Sequence, residues 1–375
     1  MKTRNIFLAS VIAAVIVTVS LMASNSEKLP SGQASDKLVT SLFYMRGVRP
    51  LAWQHDSIPA TLMVDISNDR HMVTNELEQR AQVDRKLLLH LLQKLQERDV
   101  YRYVMLDVMF DSSFCTEYDS ALFCTINSMR DIVVAANTDT GEAVAAIKSR
   151  EAPACYSNSS RHPQFLKYPL IVNKQKSMPV RMYEELGHTT LRTNSILSRS
   201  YPVVPMQAQP DTLREMGRDL LDDTLEWCNE RGEGWLEEFN LDRGKIVLIG
   251  DFGDDGNDMH YTYAGKQHGC LINYNAYLTL LNGHHNVNLW ALLLMFALTA
   301  LLCYYYLIDL KPKNTGGYII KRLLGYLAPP WLIAAVVYSL WGEMCDMLVM
   351  TILLAVTKLI IDTIHFHQSN KIQTT

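Results

Sequence analysis

The chain has 375 residues, a net charge of −4 at neutral pH and 48% hydrophobic residues. Its mean hydropathy is close to zero, which would suit a soluble protein, but the apolar residues are concentrated in a few long segments. Those segments exclude a purely soluble protein, and we expect no nucleic-acid partner.

Four segments are long and apolar enough to be predicted as transmembrane helices, since a helix needs about 20 apolar residues to cross the hydrocarbon layer. They are residues 6–23, 287–308, 323–342 and 347–366. The first is either an uncleaved anchor or a signal peptide. Its long apolar core and the sequence Leu21-Met22-Ala23 favour the anchor.

Two of the later segments contain residues that are unusual in a membrane helix. The third carries Pro329 and Pro330, which neighbouring helices can accommodate. The fourth carries Lys358 and Asp362, four residues apart on one helix face. These two side chains either neutralise each other or couple the helix to a membrane partner.

Basic residues set the predicted orientation, because Lys and Arg favour the cytoplasmic side. They occur in residues 1–5 and in the 309–322 loop, whereas the turn after residue 342 contains Glu343 and Asp346. We therefore expect a bacterial inner-membrane protein. Its N-terminus, the 309–322 loop and the 367–375 tail are expected in the cytoplasm, and residues 24–286 outside it.

The extracytoplasmic part alternates strand-like and helix-like runs, which predicts an α/β domain with a mostly parallel sheet. The proline-rich residues 150–240 predict irregular or antiparallel additions. The predicted strands are 60–66, 103–110, 131–136 and 245–250, and the predicted helices are 75–98, 117–129 and 270–281.

Five of the seven cysteines fall in this part, where an oxidising compartment permits disulfides. Cys115 and Cys124 are the best-placed candidates for a disulfide. No Cys/His spacing indicates zinc, so the other cysteines are expected to be structural.

Three sequence blocks carry a resemblance to a known family. They are VDISND (64–69), VMLDVMFD (104–111) and KIVLIGDFGDDGNDMHYTYAGKQHGCLINYNAYLTLLNG (245–283). In these blocks the chain resembles, over about residues 40–365, the type-two CHASE family of extracytoplasmic sensor domains from bacterial cyclases and histidine kinases. The resemblance implies a sensory role. Nine residues follow Phe366, so we expect no output domain in this chain.

Acidic residues follow several of the predicted strands. The carboxyl ends of parallel strands border one crevice, where ligands usually bind, and carboxylates there could bind a hard cation or a polar ligand. The alternative is a structural role, such as a buried ion pair between Arg85 and Asp107. The ligand-binding candidates are Asp65, Asp69, Arg85, Asp107, Asp111, Asp251, Asp258 and His260, with Asp254 and Asp255 nearby.

Two further segments contain residue types that can bind metal. The loop after Asp251 lacks the glutamate that closes an EF-hand, because Thr262 occupies that position, so a turn is expected. His284-His285 predicts an interfacial polar turn, or else a headgroup or metal contact. The sequence leaves metal binding open.

These observations predict a membrane-anchored sensory protein without its own output domain. It would bind an unknown small ligand and signal through a separate envelope or cytoplasmic protein. The alternative is an envelope scaffold or assembly protein that docks another protein. No P-loop, GxGxxG, GxSxG or HExxH motif is present, so neither an enzyme nor a cofactor is expected, and an Asp-cluster hydrolase is a minor alternative.

Overall fold

The computed structural model divides the chain into two compact units. The helical unit comprises Met1–Asp56, Asn194–Tyr201 and His284–Thr375, and the α/β unit comprises Ser57–Thr193 and Pro202–Gly283. The residues described are 2–25, 35, 38, 50–75, 78–99, 101–136, 144–155, 167–191, 198–202, 204–205, 207–208, 213–217, 244–253, 258–262, 264–308, 318–343 and 346–373.

Strands and helices alternate along much of the α/β unit, whereas the helical unit is made of long helices. The strands are β1 (Thr61–Asp65), β2 (Arg70–Thr74), β3 (Gln79–Val83), β4 (Tyr101–Leu106), β5 (Ile132–Ala136), β6 (Glu151–Pro153), β7 (Ile171–Val172), β8 (Gln175–Lys176), β9 (Leu213–Glu215), β10 (Lys245–Gly250), β11 (Met259–Thr262) and β12 (Gly265–His268). The helices are α1 (Lys2–Ser24), α2 (Arg85–Arg98), α3 (Asp119–Ser128), α4 (Met178–Glu185), α5 (Gly269–Leu281), α6 (Leu289–Ile308), α7 (Tyr318–Trp341) and α8 (Met347–Gln373).

The α/β unit is built around a six-stranded sheet in the order β6-β5-β4-β10-β1-β9. Every ladder in this sheet is parallel. Two-residue alternation along the strands sends apolar side chains to both faces, as expected for a parallel sheet covered by helices on each side. The predicted mostly parallel sheet is therefore confirmed.

Each face of the sheet has its own apolar core. On one face Val104 and Val247 pack with the leucines of α2 and with Leu122 of α3. On the other face Met105 and Leu248 pack with α4 and α5. The strands are buried because both faces carry helices, which explains their continuous apolar runs.

Helix α2 is shorter than the sequence predicts. The sequence favours a helix over residues 75–98, but β2 and β3 form an antiparallel hairpin and the helix begins only at Arg85. The Asp84 side chain accepts hydrogen bonds from the backbone N–H groups of Lys86 and Leu87, at 2.9 and 3.1 Å. This N-cap fixes the start of the helix.

The region between residues 150 and 240 contributes more to the sheet than predicted. The antiparallel pair β7-β8 matches the expected additions, but β6 and β9 join the main sheet as parallel edge strands. Each is only three residues long, which is too short to give a clear sequence signal.

Among its described residues, the helical unit contains three helices that are long and apolar enough to cross a membrane, which supports a membrane protein. Their qualifying segments are Thr3–Ser24, Leu289–Ile308 and Met347–Ile364. Helix α7 covers most of the predicted 323–342 segment and carries both prolines within it. Within the described part of α7, the apolar stretch Ala328–Trp341 is shorter than the three qualifying segments. That α7 crosses the membrane therefore stays a prediction. Helix α1 packs against α6 and α8.

Candidate functional site

Three of the predicted acids lie at the carboxyl ends of three adjacent strands. Asp65 ends β1, Asp107 follows β4, and Asp251 follows β10, which lies between the other two strands. The Asp107 N–H donates to the Ile249 carbonyl at 2.8 Å, which continues the ladder past the end of β4. The structure thus brings these three carboxylates to one edge.

After β4 and after β10, which are neighbouring strands, the chain turns to opposite faces of the sheet. β4 leads to α3 on one face of the sheet, whereas β10 leads to α5 on the other face. Such a change of direction opens a crevice beside the strand ends, the usual ligand position in open α/β sheets. Asp107 lies at this point.

Asp65 and Asp251 are buried and bonded within the protein. Asp65 accepts hydrogen bonds from the N–H of Ser67 and of Phe252, both at 2.9 Å, and from the Ser67 hydroxyl at 2.8 Å. Asp251 pairs with Arg70 and accepts the Gly253 N–H at 3.0 Å. These bonds shape the strand-to-loop turns, so both carboxylates serve the fold.

Asp69 and Asp111 differ in their surroundings. Asp69 accepts the Gly217 N–H at 2.8 Å, but burial, with the nearby negative charge of Asp84, raises its pKa. Asp111 accepts the hydroxyl and the N–H of Ser113, at 2.6 and 2.9 Å, and these bonds lower its pKa. Asp111 is thus a local turn-forming acid.

Asp107 ends a buried chain of polar groups. Its Oδ2 faces the Asn273 side-chain amide at 3.4 Å, and Asn273 accepts the Tyr168 hydroxyl. Tyr168 in turn accepts the Cys155 N–H at 3.1 Å. Asn273 and Tyr168 are fully buried, whereas Asp107 and Cys155 are partly exposed; of these two, Asp107 lies at the carboxyl edge of the sheet, where ligands usually bind.

The start of α5 packs tightly against the end of β10. A side-chain carbon at Gly250 would lie 2.7 Å from Cys270 Cβ, so this position requires glycine. Burial, and then the charges of Asp107 and Asp258, raises the pKa of the Cys270 thiol. Cys270 is therefore a protonated packing group rather than a nucleophile.

The β11-β12 hairpin brings two more predicted residues to the start of α5. His260 Nε2 lies 3.0 Å from Asp258 Oδ1, and the Asp258 carbonyl accepts the Gly269 N–H at 3.0 Å. Asp254 and Asp255 lie outside the described residues. Asp107, Asp258, His260 and Asn273 make up what we call the α5 site.

Arg85 does not belong to this site, and the suggested pairing of Arg85 with Asp107 is not formed. Arg85 is buried beneath the other face of the sheet, where it pairs with Asp119 at 2.5 Å and donates to Gln82 at 3.0 Å. Its guanidinium also lies over the Phe110 ring, 5.3 Å from the centroid. Asp119, the partner of Arg85, lies on α3, and the sequence alone does not show where α3 packs against the sheet.

The suggested disulfide between Cys115 and Cys124 is not formed either. Both are free, exposed thiols. The Cys115 thiol donates to the Ser112 carbonyl at 3.1 Å in the loop before α3, whereas Cys124 lies within α3.

Metal binding finds no support in the part of the chain that the structure describes, where no group of three or more His, Cys, Asp or Glu side chains is placed to hold an ion. The α5 site instead offers a carboxylate and a carboxylate–imidazole pair. Such groups suit a polar ligand that donates hydrogen bonds.

The helical unit has a polar cluster at one end of its helices, which we call the polar collar. Arg199 and Glu343 form a buried ion pair, and Glu343 also accepts the Asn288 N–H at 2.7 Å. The collar consists of Asn25, Trp53, Asp56, Arg199, His284, His285, Asn288, Gly342 and Glu343.

The predicted polar turn at His284-His285 is part of the collar. His284 lies 2.7 Å from Asp56 and against the Trp53 ring, and the His285 carbonyl accepts the Arg199 N–H at 2.7 Å. Burial, and then the neighbouring His284, lowers the pKa of His285 to about 4. His285 is therefore neutral at pH 7.

The predicted intramembrane pair is formed. Lys358 Nζ lies 2.9 Å from Asp362 Oδ1 within α8 and 5.6 Å from the centroid of the Tyr306 ring of α6. Lys358 is buried between these helices, which favours a role in packing α6 and α8.

Asn273 and its buried chain are not among the residues predicted from the sequence. Asn273 and Asn275 are the two asparagines in the otherwise apolar helix α5, and that contrast was the available signal. Asn275 accepts the N–H groups of Gln207 and Ala208, both at 2.9 Å, so it has a structural role.

Comparison with known proteins adds no relative: no family model, curated protein or solved structure matches the chain. The resemblance to the type-two CHASE family therefore stays a prediction.

Proposed function

We propose that this chain is a membrane-anchored sensory protein. Its α/β unit would bind a small polar ligand at the α5 site, outside the cytoplasm of a bacterium. The observation that carries the proposal is the position of α5. This helix bears Asn273 of the α5 site, and only residues 282–288 separate it from the candidate membrane helix α6.

The proposed orientation rests on the basic residues before α1 and in the 309–322 loop, which favour the cytoplasmic side. An uncleaved α1 is favoured by its contacts. Ala9, Ala13 and Ile16 are buried, and the Ser20 carbonyl accepts the Asp346 N–H at 3.1 Å. Removing α1 would expose these partners.

A signal would leave through the membrane helices to a separate protein. To carry information, the ligand must bind two conformations of the chain with different affinities. Movement of α5 on ligand binding would act directly on α6 through the short 282–288 connection.

The first test is a thermal-shift screen of the detergent-solubilised full chain with polyols, sugars and amines. A true ligand raises the melting temperature, because it binds the folded state. We expect Asp107→Asn to abolish that shift. Asp111→Asn is the matched control: it removes a charge at the same edge from a locally bonded acid, and the shift should be retained.

The second test is crosslinking and mass spectrometry from native membranes. A recurring partner with a kinase, cyclase or protease domain supports the sensory proposal. Stoichiometric envelope-assembly proteins, with no compound giving an Asp107-dependent shift, would overturn it in favour of a scaffold.

A further inference from the structure

A cavity of about 430 Å³, mostly open to solvent, lies at the amino ends of the central strands, the edge opposite the α5 site. Its volume falls in the range of small-molecule sites, roughly 300–1,000 Å³. Its lining includes three carboxylates and two guanidinium groups: Asp99, Arg102, Arg130, Asp131 and Glu185.

Arg102 stands out in this lining because it occupies a β-bulge. Lys245 of β10 pairs with Tyr101, and the next residue, Ile246, pairs with Tyr103, so Arg102 pairs with no residue of β10. Bulges are uncommon between parallel strands, and they re-aim side chains beside functional sites. Here the bulge falls on the one residue of β4 that is exposed.

The other charged side chains that line the cavity form ion pairs or hydrogen bonds with each other or with neighbouring residues. Arg130 lies 2.6 Å from Asp131 and 3.6 Å from Asp99. Glu185 accepts the Arg181 guanidinium and the Tyr103 hydroxyl, each at 2.6 Å. By contrast, the Arg102 guanidinium forms no ion pair or hydrogen bond with any residue that the structure describes.

Two buried polar atoms near Arg102 also lack a hydrogen-bond partner among the described residues: His188 Nε2 and the Tyr277 hydroxyl. The positive charge of Arg102 acts to lower the pKa of both residues. Burial, and then Arg102, lowers the pKa of His188, and burial raises the pKa of Tyr277 to about 12 against the opposing effect of Arg102. Neither residue lines the cavity, but buried polar atoms normally have partners, and the charge of Arg102 reaches both of these unsatisfied groups.

We propose that this cavity binds a small zwitterion, of the size of an amino acid or dipeptide. Arg102 would hold the carboxylate, since its planar fork matches that group. The ammonium group would lie among Glu185, Asp99 and Asp131. An anion alone fits less well, because the lining carries three carboxylates against two guanidinium groups. This site is independent of the α5 site.

The test is isothermal titration calorimetry of the detergent-solubilised full chain at low salt. The probes are L-alanine and L-alanyl-L-alanine, with acetate and ethylamine as half-ligands. We expect one of the zwitterions to bind at least about tenfold more tightly than either half-ligand, and Arg102→Gln to weaken that binding at least about tenfold. Arg102→Lys should recover only part of the affinity, because lysine lacks the fork.

Lys148→Gln is the control, since it removes an exposed positive charge elsewhere on the unit and should leave binding unchanged. Asp107→Asn should also leave it unchanged, which separates this site from the proposed sensory one. Absence of zwitterion binding up to about 10 mM overturns the proposal. Equal affinities for wild type and Arg102→Gln, with equal melting temperatures, overturn it as well.

Discussion

Asp69 and Asp111 both follow strands near the carboxyl edge of the sheet, and the sequence predicts the same ligand-binding role for both. Their pKa values move in opposite directions, because Asp69 is buried near other carboxylates and Asp111 is bonded to Ser113. The sequence places the acids correctly at an edge. It does not show how buried each acid is or which groups it bonds to, because both depend on loops that meet only in the folded chain.

The raised pKa of Asp69 makes a testable prediction about stability. A carboxyl whose folded pKa lies above its unfolded value stabilises the fold below the unfolded pKa, and this stabilisation is lost as pH rises through the folded pKa. Above its folded pKa, Asp69 of the wild type therefore carries a partly buried charge that the fold disfavours. Asp69→Asn removes that charge and keeps an oxygen for the Gly217 N–H.

We therefore expect Asp69→Asn to raise the melting temperature at neutral pH, with the difference shrinking as pH falls towards about 4. The measurement is thermal unfolding in detergent across that pH range. Asp111→Asn should behave oppositely: its depressed pKa stabilises the fold above the unfolded pKa, so the variant should be less stable at pH 7 and converge with wild type at low pH. A pH-independent difference for Asp69→Asn would contradict the assignment.

At the scale of elements, the strands β1, β4, β5 and β10 and the helices α3 and α5 were predictable from apolar runs and helical spacing. The β2-β3 hairpin was not, because its strands are largely exposed and carry little hydrophobic pattern. In the α5 site, Asp107 and Asp258 were predictable because acidic residues follow the predicted strands. Asn273 was not predictable, because its position depends on how α5 packs. The bulge at Arg102, outside the α5 site, was not predictable either, because it depends on the register between β4 and β10.

The polar collar gives a prediction about coupling between distant segments. Arg199 and Glu343 are 144 positions apart and both side chains are less than 10% exposed. Breaking such a buried pair leaves one charge unpaired, so Arg199→Met and Glu343→Leu should each destabilise the chain by about 3–5 kcal/mol.

The double variant Arg199→Met/Glu343→Leu should be much less destabilised than the sum of the two single variants, because neither charge is left alone. The measurement is a double-mutant cycle by chemical unfolding in detergent. Additive losses would mean that the two side chains do not act as a pair.

At the scale of the whole molecule, the proposed orientation places the α/β unit and the 309–322 loop on opposite sides of the membrane. In a cysteine-free background, Tyr261→Cys should react with a membrane-impermeant maleimide in intact spheroplasts, since Tyr261 is exposed. Asn314→Cys, in the basic loop, should react only after the membrane is permeabilised. The reverse pattern would show that the orientation is inverted.

The packing of α1 has a consequence for how the chain is made. Helix α1 is synthesised early, but its partners α6 and α8 emerge from the ribosome only after the whole α/β unit. In the proposed orientation, at about 5–20 residues per second, α1 spends tens of seconds in the bilayer in contact with lipid before its helix partners are made. A segment made late therefore completes the packing of a segment made early, and the helical unit closes only after the α/β unit has been synthesised.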